Sequence, residues 1–470
     1  MSETSPSQPV VKPGQAGFGR FIIGSRYYAL AILFMMNLLN YVDRYSFFAA
    51  GTHIQKELAI DDKWFGVLGA SFMIVYTVIS PFMGIMGDRY SRKGLLAGGV
   101  GLWSLATVGT AFSSNYAHMF FWRALLGVGE ASYGVIAPAL LADLFPVKDR
   151  GRAMGAYYLA LPVGTALGYF LGGTIADHHG WRAVFWVVGL PGLLASAAGL
   201  FMHDPGRGAS EGGASLKTAR SRPSLGDYLD LFKNKTFLYN TAGMAAVTFA
   251  TGAYAAWGST FYQRVHGLSA ENAGKWIGLL LVGAGILGIV LGMFIPDLIA
   301  RFTRRGYLLL AGFAVCLAIP LAALGVLDHS YHASLAFLFG ASVLLSMVLG
   351  PCNTVTANVV PANRRAAGYA AFIFLIHLFG DISSPILLGW ISDFFGKPAI
   401  AGSAMGKFFT SIGAAPVNDT NLSVAMLSVM PILAIGFVFF LVGSRHLPED
   451  QDRAQAAAGV GGLDLTPYHH

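Results

Sequence analysis

The sequence predicts an all-α membrane protein: twelve transmembrane helices in two pseudo-symmetric six-helix bundles. Three observations predict it. Apolar runs of about twenty residues, each long enough to cross a ~30 Å hydrocarbon core, recur along the whole chain. Charged residues make up only 12% of the 470 residues, with 55% hydrophobic residues and a mean hydropathy of +0.58. Soluble domains carry roughly twice that charged fraction, about 25%. Finally, short motifs at helix ends in the first half return at matching places in the second.

The runs come in order. A polar tail, 1–27, precedes the first, and because residues 1–20 contain no apolar stretch the first run itself is expected to direct insertion. Spans at 28–52, 64–87, 94–113, 117–144, 152–175 and 182–202 form an amino-terminal bundle, 28–202. A Gly-, Ser-, Lys- and Arg-rich linker, 203–235, is the longest polar interruption. Spans at 236–262, 273–295, 306–326, 334–358, 367–391 and 423–444 form a second bundle, 236–444, followed by a tail, 445–470, whose final His469-His470 resembles a tag remnant.

The net charge of +7 and pI of about 9.3 are topological in origin. Seventeen Lys and Arg residues lie in even-numbered connections and seven in odd-numbered ones. The positive-inside rule then predicts both termini in the cytoplasm of a multi-pass cell-membrane protein, and nucleic acid is not an expected partner. Cys316 and Cys352 lie inside apolar runs and read as packing residues, with no metal site.

Two pairs of motifs relate the halves. After span 4 comes Ala142-Asp143-Leu144-Phe145-Pro146, with Arg150 and Arg152; after span 10 comes Ala357-Asn358-Val359-Val360-Pro361, with Arg364 and Arg365. Span 2 ends Gly84-Ile85-Met86-Gly87-Asp88-Arg89, continuing to Arg92-Lys93; span 8 ends near Asp297 with Arg301 beyond it. Paired halves of this kind suit a carrier that rocks around a midplane site. The first of these loops resembles the signature of the major facilitator superfamily. That resemblance implies a gating role for Gly84, Asp88, Arg89, Arg92, Lys93, Asp297 and Arg301, with Asp88 as a charge latch on the cytoplasmic side.

Within the superfamily the chain resembles the spinster-like lipid transporters. The resemblance rests on Asn37-Leu38-Leu39-Asn40-Tyr41-Val42-Asp43-Arg44, on Arg123 through Phe145 with Gly127, Gly129, Glu130, Tyr133 and Pro138, on Leu161-Pro162-Val163-Gly164 with Gly168, and on Asp204-Pro205-Gly206-Arg207. It implies movement of sphingolipid-like or lysolipid-like molecules, driven by a proton gradient without any cofactor, by a monomer.

The residues support a site independently. An ionised side chain at a helix centre costs ~2.5–3.5 kcal/mol on insertion scales, so Asp43, Arg44, Arg123 and Glu130 are expected to face a polar cavity. Counting 1.5 Å per residue, Asp43 lies ~13 Å and Arg123 ~9 Å from one surface, and Glu130 follows Arg123 two turns on along the same face. Asp43, Arg123 and Glu130 are therefore candidates for proton coupling, the Arg alternating between the acids. Arg44, Asn40 and Tyr133 in the first half, and Thr248, Thr251, Tyr254, Trp257, Asn353, Thr356, His377 and Asp381 in the second, are candidate substrate contacts. His377 and Asp381 are four apart and share a helix face. A carrier of a small organic anion, clamped by Arg44 and Arg123, stands as the alternative; a membrane enzyme or non-transporting sensor is the remote one, since no catalytic constellation is present.

Overall fold

The computed structural model describes residues 25–206, 230–361 and 364–457, apart from the side chains at positions 88, 147, 148, 365 and 366. The tail 1–24, most of the linker and everything past Ala457, including His469 and His470, lie outside the described residues. Among the described residues the chain is helical, with no strand. Span 1 is Arg26–Ala49, turning at Ala50 into the short helix Gly51–Leu58; span 2 is Asp62–Arg89, span 3 Arg92–Thr110, span 4 Tyr116–Leu144, span 5 Val147–Tyr158 with Ala160–His179, and span 6 Trp181–Gly199. In the second half, span 7 is Lys235–Arg264, span 8 Ala270–Ala300, span 9 Gly306–Leu327, span 10 Tyr331–Met347 with Leu349–Val359, span 11 Arg365–Phe379 with Ser383–Gly396, and span 12 Leu422–Leu427 with Val429–Ala457. The last helix thus continues past residue 444 into the tail.

Helix starts fall where a side chain can accept from the first turn. Ser25, Ser91, Asn115, Asn234 and Ser269 each take the backbone N–H three residues on. Among the described residues, nine helical stretches are long and apolar enough to cross a membrane by length and composition alone. Spans 1, 3 and 7 fall outside that set, and for spans 1 and 7 the reason is visible. Span 1 carries Asn37, Asn40, Asp43 and Ser46, and span 7 Asn240, Thr241, Thr248, Ser259 and Thr260, all buried in protein. A helix shielded from lipid by its neighbours is free to be polar.

Glycines set the close crossings inside the first half. A methyl group on Gly164, Gly168 or Gly172 of span 5 would lie 2.7 Å from Leu38 O, Val42 O or Ser46 Cα of span 1. Spacing by four puts these glycines on one helix face, so the two backbones touch along a stripe. The tail of span 1 is tied to its own half as well. Arg182 and the Trp181 indole N–H donate to Glu57, and the Arg182 hydrogen bond holds that carboxyl below the usual carboxylate range.

The halves meet at the end remote from the termini, where span 5 packs on span 8 and span 2 on span 11. Towards the termini the same helices turn back to their own bundles. Gly164 of span 5 faces span 1, and Gly288 and Gly292 of span 8 face Ser346 and Met347 of span 10. Among the described residues, the close crossings between the halves lie at one end, and at the other, parted end each helix packs on its own bundle.

Candidate functional site

Span 4 is wedged between spans 2 and 3 by its own glycines. A methyl on Gly127 would lie 2.4 Å from Phe72 O, and one on Gly129 would lie 2.6 Å from both Gly99 O and Trp103 N. This approach brings Arg123 and Glu130 against span 1. Arg44 Nη2 donates to Glu130 Oε2 at 2.7 Å, with side-chain exposures of 16% and 1%. Asp43, 2% exposed, accepts the Thr107 hydroxyl of span 3. The Arg123 guanidinium lies 4.1 Å from the Phe47 ring centre and 4.9 Å from that of Phe72. Arg44 stands 4.8 Å from Phe72 and 5.2 Å from Tyr41, so Phe72 is in cation–π contact with both arginines.

The expected triad is therefore assembled with a different pairing. The sequence places Arg123 between the two acids; in this conformation Arg44 holds Glu130, and Arg123 rests on aromatic faces. The nitrogens of Arg123 make no hydrogen bond, nor do Asp43 Oδ1 and Glu130 Oε1. Arg44, Asp43, Arg123 and Glu130 nevertheless lie within electrostatic reach of one another. Burying four ionisable groups this way is costly unless each is compensated. The hydrogen-bonding capacity left over at Arg123, Asp43 and Glu130 is what a cluster needs if it is to change partners.

Asn40 is buried beside the cluster. Tyr133 donates to Leu33 O and stacks edge-on against Trp103, which is a packing role. In the second half His377 Nδ1 lies 2.7 Å from Asp381 Oδ2, both side chains partly exposed at 36% and 26%. Span 11 breaks beside this pair: Ile382 N reaches back to His377 O, and a methyl on Gly380 would lie 2.3 Å from Ile376 O and 2.7 Å from Thr248 Cβ of span 7. Asp381 also lies within electrostatic reach of Tyr45 on span 1, facing the first half across the parting.

The remaining candidates divide. Thr251 and Asn353 are half-buried, each bonded to its own helix. Thr248 is buried and bonded to Met244 O, and the Tyr254 hydroxyl is buried without a hydrogen bond. Thr356 accepts from Asn240 within the second bundle. Trp257 donates to Pro385 O at 3.1 Å and stacks against Phe65 of the other half, so it belongs to the closed end.

At the terminus-bearing end, Arg92 Nη1 pairs with Asp143 Oδ2 at 2.5 Å, and Tyr307 donates to Asp297 at 2.5 Å. Lys93 and Gly84 are half-buried, and Arg89 and Arg301 exposed. The side chain of Asp88 lies outside the described residues. Sequence reasoning missed the groups at the other end. Arg264 of span 7 donates to both carboxylate oxygens of Asp62, at 2.8 and 2.9 Å, and to Gln55; Ser392 donates to Asp62. The available signal was a charged residue at the outer edge of each run, one acid and one base, from opposite halves.

A family model described as Major Facilitator Superfamily matches residues 33–385. "Protein spinster homolog 3" of Danio rerio is 32% identical over 447 residues, covering 91% of this chain and 87% of its own. The chain belongs to the spinster family of the major facilitator superfamily. "Protein spinster homolog 1" of Mus musculus is 32% identical over 444 residues, spanning 91% of this chain and 82% of its own. The chain spans 65% of the length of "Protein spinster" of Drosophila melanogaster, at 31% identity. Among solved structures, a bacterial homologue of the human lysosomal transporter Spinster, inward-facing and occupied, superposes with a TM-score of 0.78 at 23% identity, covering 90% of this chain and 98% of that one. A D-xylose–proton symporter superposes at 0.65 with 15% identity, covering 87% of this chain and 97% of that one. The two structural likenesses show the shared fold, in which spans 1 and 4 of this spinster protein carry the buried Asp43, Arg123 and Glu130.

Proposed function

We propose that this spinster protein is a proton-coupled secondary carrier of amphipathic lipids, of sphingolipid or lysolipid type, working by alternating access in the cell membrane. The observation that carries the reading is the buried group formed by Arg44, Glu130, Asp43 and Arg123 at the seam of spans 1 and 4. Protonating Glu130 removes the charge that holds Arg44; Arg123 is then the cation within reach to rebalance Asp43. Moving a guanidinium between carboxylates changes their proton affinity, since a nearby cation favours the ionised acid and burial disfavours it. That is the physical content of coupling.

Both termini lie in the cytoplasm on the charge distribution, so the parted end faces inward in this conformation. Arg44 would meet an anionic headgroup, with Tyr41 and Tyr45 beside it on span 1 and His377 and Asp381 on span 11 of the other half. The signature loop of Asp88, Arg89 and Arg92 would latch the cytoplasmic end in the opposite state. The test is uptake into proteoliposomes under an imposed pH gradient, comparing a labelled sphingoid phosphate or lysophospholipid with a small organic acid. Gradient-stimulated uptake of the lipid supports the reading; stimulation by the organic acid alone would replace it with the anion-carrier alternative.

A further inference from the structure

The closed end is one contact built twice. On one side, a methyl on Gly173 of span 5 would lie 2.2 Å from Ala270 O of span 8, and one on Gly274 of span 8 would lie 2.3 Å from Tyr169 O of span 5. On the other side, a methyl on Gly389 of span 11 would lie 2.3 Å from Asp62 O of span 2, and one on Gly66 of span 2 would lie 2.2 Å from Pro385 O of span 11. Gly173 and Gly389 share one sequence offset with Tyr169 and Pro385; Gly66 and Gly274 share another with Asp62 and Ala270. Each crossing is topped by a carboxylate from one half on the first turn of a helix from the other. Asp177 Oδ2 accepts from Glu271 N at 2.7 Å, and Asp393 accepts from Asp62 N at 3.1 Å and Lys63 N at 2.7 Å.

The geometry points to Asp177 and Asp393 as a symmetry-related pair of latches that hold this face shut, each by capping the second helix of the opposite half. A helix start offers unsatisfied N–H groups and a partial positive charge, so a carboxylate from the other half bonds it only while the halves are together. Opening must strip both caps. The glycine contacts below give each latch its register, because a single added methyl would hold the helices apart.

The two latches are unequal. Asp393 works beside the buried Asp62, which also holds Arg264 at 2.8 Å and accepts from Gln55 at 2.7 Å. Asp177 has His53 at 3.4 Å and Glu271 beside it, in a more open setting. Thr52 donates to Gln263 between the two, where the ends of spans 1 and 7 meet. Release of the Asp393 side is therefore the harder step. This inference goes beyond the transport reading and uses only the existence of an opposite-facing state.

The test is pulsed dipolar spectroscopy on the full chain in lipid nanodiscs, with labels at Lys56→Cys and Lys397→Cys across the closed end. A second labelled pair, Tyr158→Cys and Phe302→Cys, reports the parted end, and Cys316→Ser removes the less buried native thiol. Asp393→Ala should raise the population with long distances at the closed end ~10-fold, and Asp177→Ala ~3-fold, as loss of a charge-assisted cap predicts. The parted-end distances should shorten in step. If Asp393→Ala does not fold, Asp393→Asn, which keeps one acceptor, should shift the populations in the same direction by less. Closed-end distances unchanged in the folded Asp393 variant and in Asp177→Ala would overturn the proposal. No substrate or gradient is needed, so the outcome is independent of what the protein carries.

Discussion

The first and fourth spans of the two halves do opposite things with the same architecture. In the first half they bury Asp43, Arg123 and Glu130 and half-bury Arg44, with Arg44 paired to Glu130 and all four within electrostatic reach of one another. In the second half, span 7 has no charged residue between Lys235 and Arg264, and span 10 none between Tyr331 and Val359. Their polar groups are amides and hydroxyls: Asn240 donates to Thr356 and Cys352 O, while the Tyr254 and Thr260 hydroxyls are buried without a hydrogen bond. A duplicated fold needs two rigid bundles to rock, but it needs titratable chemistry in only one of them. The second half contributes instead the walls, the Arg264 ion pair and the broken helix that carries His377 and Asp381.

This division can be broken by substitution, and the largest effect belongs to Arg123. Arg123→Ala removes a buried cation within electrostatic reach of both acids and leaves its pocket between Phe47 and Phe72 empty; losing one member of a buried charge group costs about 3–5 kcal/mol. Gradient-driven uptake should fall at least ~100-fold, with a lower thermal midpoint in detergent. Glu130→Gln keeps the shape and one acceptor for Arg44. It should remove the pH-gradient dependence of uptake while leaving counterflow exchange and thermal stability near wild type. A stable Glu130→Gln protein that still concentrates substrate under a gradient would move the coupling elsewhere.

Smaller effects sharpen the comparison. Thr107→Val deletes the hydroxyl that Asp43 accepts, a loss of about 1–3 kcal/mol when it leaves a buried acceptor unpaired. The pH midpoint of uptake should move upward, because an acid that loses a donor to its ionised form holds its proton to higher pH. An unmoved midpoint would remove Asp43 from the titrating group. The smallest effect is expected at Asp381→Asn in the second half: a change in KM for substrate with the gradient dependence preserved within about two-fold, given the median worth of exposed pairs. Collapse of gradient dependence there would show that the second half titrates too, and the division would fail.

Much of the fold was legible because its signals are local. Twelve apolar runs, the Lys and Arg distribution and the paired Pro146 and Pro361 motifs depend only on sequence distance. Spans 1 and 7 were found despite their polarity since their flanks were clear, whereas helix breaks such as Phe379–Ser383 leave no trace in hydropathy. The site was legible in membership and not in pairing. Depth counting along a helix places Asp43 and Arg123 at one level, but which guanidinium meets which carboxylate depends on rotation about the axis and on the neighbour. Arg44, on sequence a candidate substrate contact, holds Glu130. The closed end was missed altogether, because Asp62, Arg264, Ser392 and Asp393 come from three spans and each alone reads as an ordinary helix end. Trp257, placed by sequence in a substrate wall, belongs there too.

The proposed coupling group, Glu130 with Arg44, Asp43 and Arg123, lies wholly in the first half. The most direct measurement is substrate-induced proton movement, read by a pH-sensitive dye trapped in proteoliposomes, for the wild type, Glu130→Gln and Asp381→Asn side by side. The expected result is a proton signal in the wild type and Asp381→Asn and none in Glu130→Gln, with all three proteins still exchanging substrate. A proton signal that survives in Glu130→Gln and vanishes in Asp381→Asn would contradict it.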